Sequence, residues 1–244
     1  MSVLVLDSHA HCGLTLPFAK LHHLWQDGRI AGGVLISPVE EVYDRYDPWF
    51  VDSQEYRESR EKVHAYLKSL RSEHIFAYWF VWNDFKSPPG NEFDGVKWHR
   101  HSNEPEYQVG LPEYRAFLEQ VCSLGLPLML EDEFQNTLDL VNQINQRIPI
   151  IIPHFGGLNG GYQRLKRAGL FEKPNIYVDT ALASPHEIVD FAGDYGIDRI
   201  LFGSDYPFGD PAYERYKVEQ IFTGRDREKV LAENLLALLG RKKP

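Results

Sequence analysis

A chain of 244 residues with 43% hydrophobic residues can bury a sizeable core, and its net charge of −9 argues against nucleic acid or an anionic membrane surface as partner. Two cysteines, Cys12 and Cys122, are too few for a disulfide framework and suit a reducing cytoplasm. The opening MSVLVLDSHAH lacks the basic stretch of a secretion signal, and no run of about 20 apolar residues occurs, so the expectation is a cytoplasmic protein without a membrane span.

The first element is an apolar strand over residues 3–9 that leads into His9 and His11. Side chains alternate along a strand, so Val5, Asp7, His9 and His11 are expected on one face and Leu4, Leu6, Ser8 and Ala10 on the other. Two imidazoles on one face, about 7 Å apart, can hold one metal ion if they face a pocket. Cys12 falls on the opposite face and reads as packing.

Further strands are read at 31–37, 74–82, 95–99, 127–131, 148–154, 175–180 and 199–205. Most are short and continuously apolar, as parallel strands covered on both faces are. Between them, residues 55–71, 112–124, 135–146 and 185–195 carry apolar residues at helical spacing, with Pro112 and Pro185 in first-turn positions and Ser184 as an N-cap. Residues 83–94 are rich in Pro, Gly and Asn and read as loop. The chain closes with an amphipathic helix over 226–239, halted at Gly240, and a short basic tail, Arg241-Lys242-Lys243, that reads as solvated. Strands alternating with helices imply a parallel sheet, and eight such units suggest an α/β fold of the (β/α)8 TIM barrel type, one domain spanning residues 1–244.

A barrel of this type places its chemistry at the C-terminal strand ends. Those ends carry His9, His11, Ser37, Asn83 or Asp84, His99, Glu131, His154, Asp179 and Asp205, and buried strands rarely finish on charge without a reason. Lys97 shares a face with His99, one layer deeper. The loop after the second strand, residues 38–50, is long and aromatic; either it packs its own aromatics or it walls a substrate, with Trp49 as a contact.

The motifs Asp7-Ser8-His9-Ala10-His11, Gly95-Val96-Lys97-Trp98-His99, Ile152-Pro153-His154-Phe155-Gly156-Gly157 and Phe202-Gly203-Ser204-Asp205-Tyr206-Pro207 resemble the amidohydrolase superfamily. The similar branch includes aminocarboxymuconate-semialdehyde decarboxylase, the hydroxybenzoate decarboxylases and several lactonases. The resemblance implies that His9 and His11 are first-strand metal ligands. It implies that Asp205 is the eighth-strand carboxylate that binds the metal and accepts a proton from water, and that His154 polarises substrate. One position departs: the fifth strand of the family ends in a histidine ligand, and here Glu131 stands there. A site of His9, His11, Glu131 and Asp205 is chemically sound for Zn²⁺ or Mn²⁺, the extra negative charge favouring a harder ion. Lys97 invites comparison with the carbamylated lysine of binuclear relatives, but its surroundings match the mononuclear branch, where it reads as a buried, paired lysine.

The expected activity is that of a metal-dependent hydrolase with one divalent ion, zinc or manganese, acting on a lactone, amide or related carboxylic substrate. Asp205 and His154 are its expected catalytic groups, and His99, Lys97 and Trp49 its substrate contacts. Non-oxidative decarboxylation on the same site, and a non-catalytic barrel with a decayed metal site, stay open as alternatives. The expected partner is a small-molecule substrate, with a homodimer left open.

Overall fold

In the computed structural model, which describes residues 3–88 and 90–241, eight parallel strands follow one another round a barrel. Lys242 and Lys243 of the basic tail lie outside the described residues. The strands are β1 Leu6–His11, β2 Gly32–Ile36, β3 Ile75–Phe80, β4 Gly95–His99, β5 Leu128–Glu131, β6 Ile150–Ile152, β7 Ile176–Asp179 and β8 Ile200–Leu201. Each pairs in parallel with the next. Beyond β8 the chain returns to β1: the Ser8 amide donates to Phe202 O at 2.7 Å, the Asp205 amide to His9 O at 2.7 Å and the His11 amide to Tyr206 O at 2.8 Å. These bonds bring Asp205 beside the two histidines 196 and 194 positions earlier.

The helices are α1 Phe18–Asp27, α2 Gln54–Leu70, α3 Pro112–Leu124, α4 Phe134–Ile144, α5 Tyr162–Arg167, α6 Pro185–Tyr195, α7 Pro211–Ile221, α8 Gly224–Glu228 and α9 Asn234–Leu238. α3 and α6 begin on Pro112 and Pro185 as their sequences predict, and Ser184 closes a capping box with Glu187. Residues 83–88 and 90–94 hold no helix. The closing helix is one continuous run broken in character by a π-helical turn at Lys229–Glu233. The sequence reading passed over α1, α5 and α7. α7 shows why: it buries only Pro211, Glu214 and Val218, so it carries little apolar stripe to detect. Among the described residues no helix is long and apolar enough to cross a membrane.

Two apolar clusters sort the core. The inner one fills the barrel with Leu6, Val34, Phe76, Met129, Ile151 and Leu201, and Ala232, Leu235 and Leu236 of the closing helical run join it. The outer one packs the strands' other faces against the helices and includes Val5, Ala10, Cys12 and Trp25.

That sorting corrects the alternation expected for β1. Leu6 points into the barrel, while Asp7 points outward, its Oδ2 accepting from the indole of Trp25 on α1 at 3.1 Å. The register of β1 against β2 slips between Asp7 and Ala10, where three steps on β1 face two on β2. The extra residue is a β-bulge, and it resets the phase of the strand so that His9 and His11 face inward after Leu6 rather than with Asp7. The neighbouring strand is built for this. A Cβ on Gly33 would lie 2.1 Å from the Asp7 carbonyl oxygen, so only glycine admits the close approach.

Candidate metal centre and its surroundings

Both β1 imidazoles are held from behind. His9 Nδ1 lies 3.0 Å from Asp179 Oδ2, at the end of β7, and His11 Nδ1 lies 3.0 Å from the carbonyl oxygen of Ser37. Carboxylate and carbonyl oxygens only accept, so each ring places a proton on Nδ1 and turns its Nε2 forward. Asp179 is itself pinned, its Oδ1 accepting from the amides of His154 at 2.9 Å and Ala181 at 3.2 Å.

Forward of both rings stands Asp205. Its Oδ1 lies 3.4 Å from His9 Nε2 and 3.3 Å from His11 Nε2. Asp205 has φ 55°, a left-handed backbone that aspartate tolerates better than most residues and that here directs its carboxylate back over β1. The preceding Ser204 is fixed by Asp7, whose Oδ1 accepts from the Ser204 amide at 2.9 Å and whose Oδ2 accepts from its hydroxyl at 2.6 Å. Two ring nitrogens and a carboxylate oxygen thus converge on one point, and His9 Nε2 is fully buried without a hydrogen-bond partner. Such an arrangement fits a cation, and two imidazoles with one carboxylate form a donor set for a divalent metal.

The electrostatics agree. Burial, reinforced by the Lys97 ammonium, pushes the His9 pKa down against the pull of Asp205 and Asp179, which favours the neutral ring a metal requires. Burial alone would raise the pKa of Asp205, but the imidazoles of His9, His11 and His154 hold its carboxyl well below the usual range. Asp179 also comes within ligand range alongside His9 and His154, yet its oxygens are already taken by His9 Nδ1 and two backbone amides.

His154 follows β6 with φ 54°, and Phe155 after it has φ 52°. This turn brings His154 Nδ1 to 3.1 Å from the Ala181 carbonyl and leaves Nε2 facing two carboxylates, Asp205 Oδ2 at 3.7 Å and Glu131 Oε2 at 3.8 Å. Left-handed φ values at non-glycine residues cost free energy, and their clustering at His154, Phe155 and Asp205 marks a locality held by its surroundings.

Glu131 lies beyond His154 and belongs to a different group. Its Oε2 accepts from Lys97 Nζ at 2.7 Å, and its Oε1 faces His99 Nε2 at 3.2 Å and His101 Nε2 at a short contact. It falls in ligand range with His99 and His101, whereas His9 and His11 group with Asp205. Burial raises the pKa of Glu131, but Lys97, His99 and His101 together bring it well below the ordinary value. Lys97 is fully buried and ion-paired.

Glu104, in the loop after β4, ties this second group to the β2 loop. It accepts from the Tyr43 hydroxyl at 2.7 Å, from Arg45 Nε at 2.9 Å and from the His101 amide at 3.0 Å. The β2 loop therefore divides: Tyr43 is buried and stacks on Trp82 at 5.1 Å, whereas Trp49 stands 87% exposed and is not brought into the cavity. His101, Glu104, Tyr43 and Arg45 were not singled out from the sequence. One signal was there to read, because His99-Arg100-His101 repeats the spacing of His9-Ala10-His11.

Asp179→Asn should report on the support behind His9. The amide would present an N–H to a ring nitrogen that now donates, disfavouring the tautomer with a free Nε2. Equilibrium dialysis should show metal affinity lowered by about 10–100-fold, the usual cost of losing such a supporting carboxylate.

The amidohydrolase family model matches residues 89–241, more than half of the chain. No curated protein matches the sequence. Among solved structures, a candidate 2-pyrone-4,6-dicarboxylic acid hydrolase from Pseudomonas putida is similar, with 16% identity, a TM-score of 0.70 and 98% of each chain covered. So are 2,6-dihydroxybenzoate decarboxylase from Rhizobium, at 17% identity and TM-score 0.71 over 98% of this chain and 99% of that one, and 5-carboxyvanillate decarboxylase from Sphingomonas paucimobilis, at 9% identity and TM-score 0.75 over 99% and 100%.

Proposed function

The chain belongs to the amidohydrolase family, and from that premise we propose that it is a metal-dependent hydrolase whose divalent ion is held by His9, His11 and Asp205. The observation that carries the reading is the convergence of His9 Nε2, His11 Nε2 and Asp205 Oδ1 on one point, with His9 Nε2 buried and unpartnered. A divalent ion bound there supplies Lewis acidity and lowers the pKa of a water toward neutrality. We assign Glu131, proposed from the sequence as a fourth ligand, to the neighbouring group instead.

The residues divide the remaining work. Asp205 uses Oδ1 toward the two imidazoles and keeps Oδ2 on the cavity side, where it can accept the proton of the attacking water. His154 keeps its Nδ1 proton on the Ala181 carbonyl, so a second proton would make an Nε2–H that faces the Asp205 and Glu131 carboxylates. That N–H is the donor available to a substrate carbonyl oxygen as negative charge develops there. Lys97 and His99 both contact Glu131 and orient it. Zinc and manganese both suit this donor set.

Decarboxylation is the second reading, and one observation favours it: the His154 Nε2 position could equally deliver a proton to carbon. Two of the structurally similar proteins are named as decarboxylases. A decayed site fits less well, since both imidazoles retain their supporting acceptors.

Product analysis separates the two reactions. The metal-loaded protein, offered a panel of lactones and aromatic carboxylic acids in ¹⁸O-labelled water, should yield ring-opened acids carrying the label. Release of CO₂ with no label gained by the organic product would replace hydrolysis by the second reading.

A further inference from the structure

We propose that His99, His101 and Glu131 form a second, weaker divalent-metal site beside the first, with Glu104 as the residue that positions its two imidazoles. The three side chains come from the end of β4, the loop behind it and the end of β5, and their ligand atoms lie within 4.8 Å of one another. Both Nε2 atoms converge on one oxygen, Glu131 Oε1. The donor set repeats that of the first group: two imidazoles spaced i, i+2 and one carboxylate.

The proton count points the same way for His99. The Tyr43 hydroxyl gives its single proton to Glu104 Oε2, so Tyr43 can only accept from His99 Nδ1, 3.0 Å away. His99 therefore places a proton on Nδ1 and turns Nε2 toward the Glu131 oxygen 3.2 Å in front of it. Behind both rings stands a carboxylate, the arrangement that fixes ring orientation at metal sites: Glu104 lies 3.4 Å from His99 Nδ1 and 3.6 Å from His101 Nδ1.

Two features make this the weaker site. Arg45 Nη2 lies 3.1 Å from His101 Nδ1, so without an ion His101 accepts there and its Nε2 proton goes to Glu131. Taking up an ion requires that proton to move to Nδ1, where Glu104 Oε1 becomes its acceptor. In addition, Lys97 already neutralises Glu131 through Oε2, so the second ion gains less from the carboxylate than the first gains from Asp205. The ions fill in order, the His9–His11–Asp205 group first.

The test is metal stoichiometry, read without any substrate. Apoprotein dialysed against Zn²⁺ should bind two equivalents in two steps. His101→Asn is the informative variant, because His101 is partly exposed; it should retain only the tighter equivalent while its circular dichroism shows a folded barrel. Glu104→Gln should weaken the second step at least tenfold and leave the first alone. The double variant His9→Ala/His11→Ala should retain only the weaker equivalent. Wild-type protein saturating at one equivalent that is lost in the double variant would overturn the second site while leaving the proposed function standing. One equivalent lost in His101→Asn but kept in the double variant would do the reverse. Two equivalents in His101→Asn would also overturn the second site.

Discussion

Replacing His9 and His11 together by alanine should remove the tightly bound ion and, with it, turnover. The barrel should survive, because the two rings lie at the C-terminal end of β1, where residues serve function more than packing. Asp179, left without His9, keeps the amides of His154 and Ala181. A Lewis acid contributes several kcal/mol to such a reaction, so activity should fall by at least about 10³-fold. Metal analysis, circular dichroism and turnover on the same preparation check this. Tight metal binding that persists in the double variant would remove these histidines from the first group.

Asp205→Asn should have the next largest effect. The amide oxygen can still face the two Nε2 atoms, but the negative charge is gone and Oδ2 is replaced by a group that cannot accept a proton. Loss of a positioned general base costs about 10²–10⁴ in turnover, and the ion should also bind more weakly for want of the carboxylate's charge. Titrating metal back at high concentration separates the two effects. Saturating metal should restore occupancy and leave turnover low. Full rescue by metal would reduce Asp205 to a ligand and shift the base's role elsewhere, Glu131 being the other carboxylate against His154.

The parts of the site that could be read from sequence are those fixed by strand endings. His9, His11, His99, Glu131, Asp179 and Asp205 terminate apolar runs, and a parallel barrel gathers such endings on one face. The boundaries of β4, α3 and α6 were legible to the residue, since glycine, proline and capping serine punctuate them. The bulge in β1 was not, because it exists only in the pairing of β1 with β2 and leaves no mark on the alternation of a single strand. For the same reason Asp7 was placed with the histidines when it supports Ser204 from outside the barrel. The contacts of Glu131 with His99 and His101 join neighbouring strand ends around the ring, and spacing along the chain does not encode them. Glu104 and Tyr43 act from loops whose course is set by contacts with one another.

An anomalous-difference map from crystals grown with Zn²⁺ or Mn²⁺ tests the central claim most directly. The account expects the strongest peak about 2.0–2.3 Å from His9 Nε2, His11 Nε2 and an oxygen of Asp205, with both Nδ1 atoms still bonded to Asp179 and Ser37. No peak at that point, or a strongest peak on the Glu131 side of His154, would contradict it.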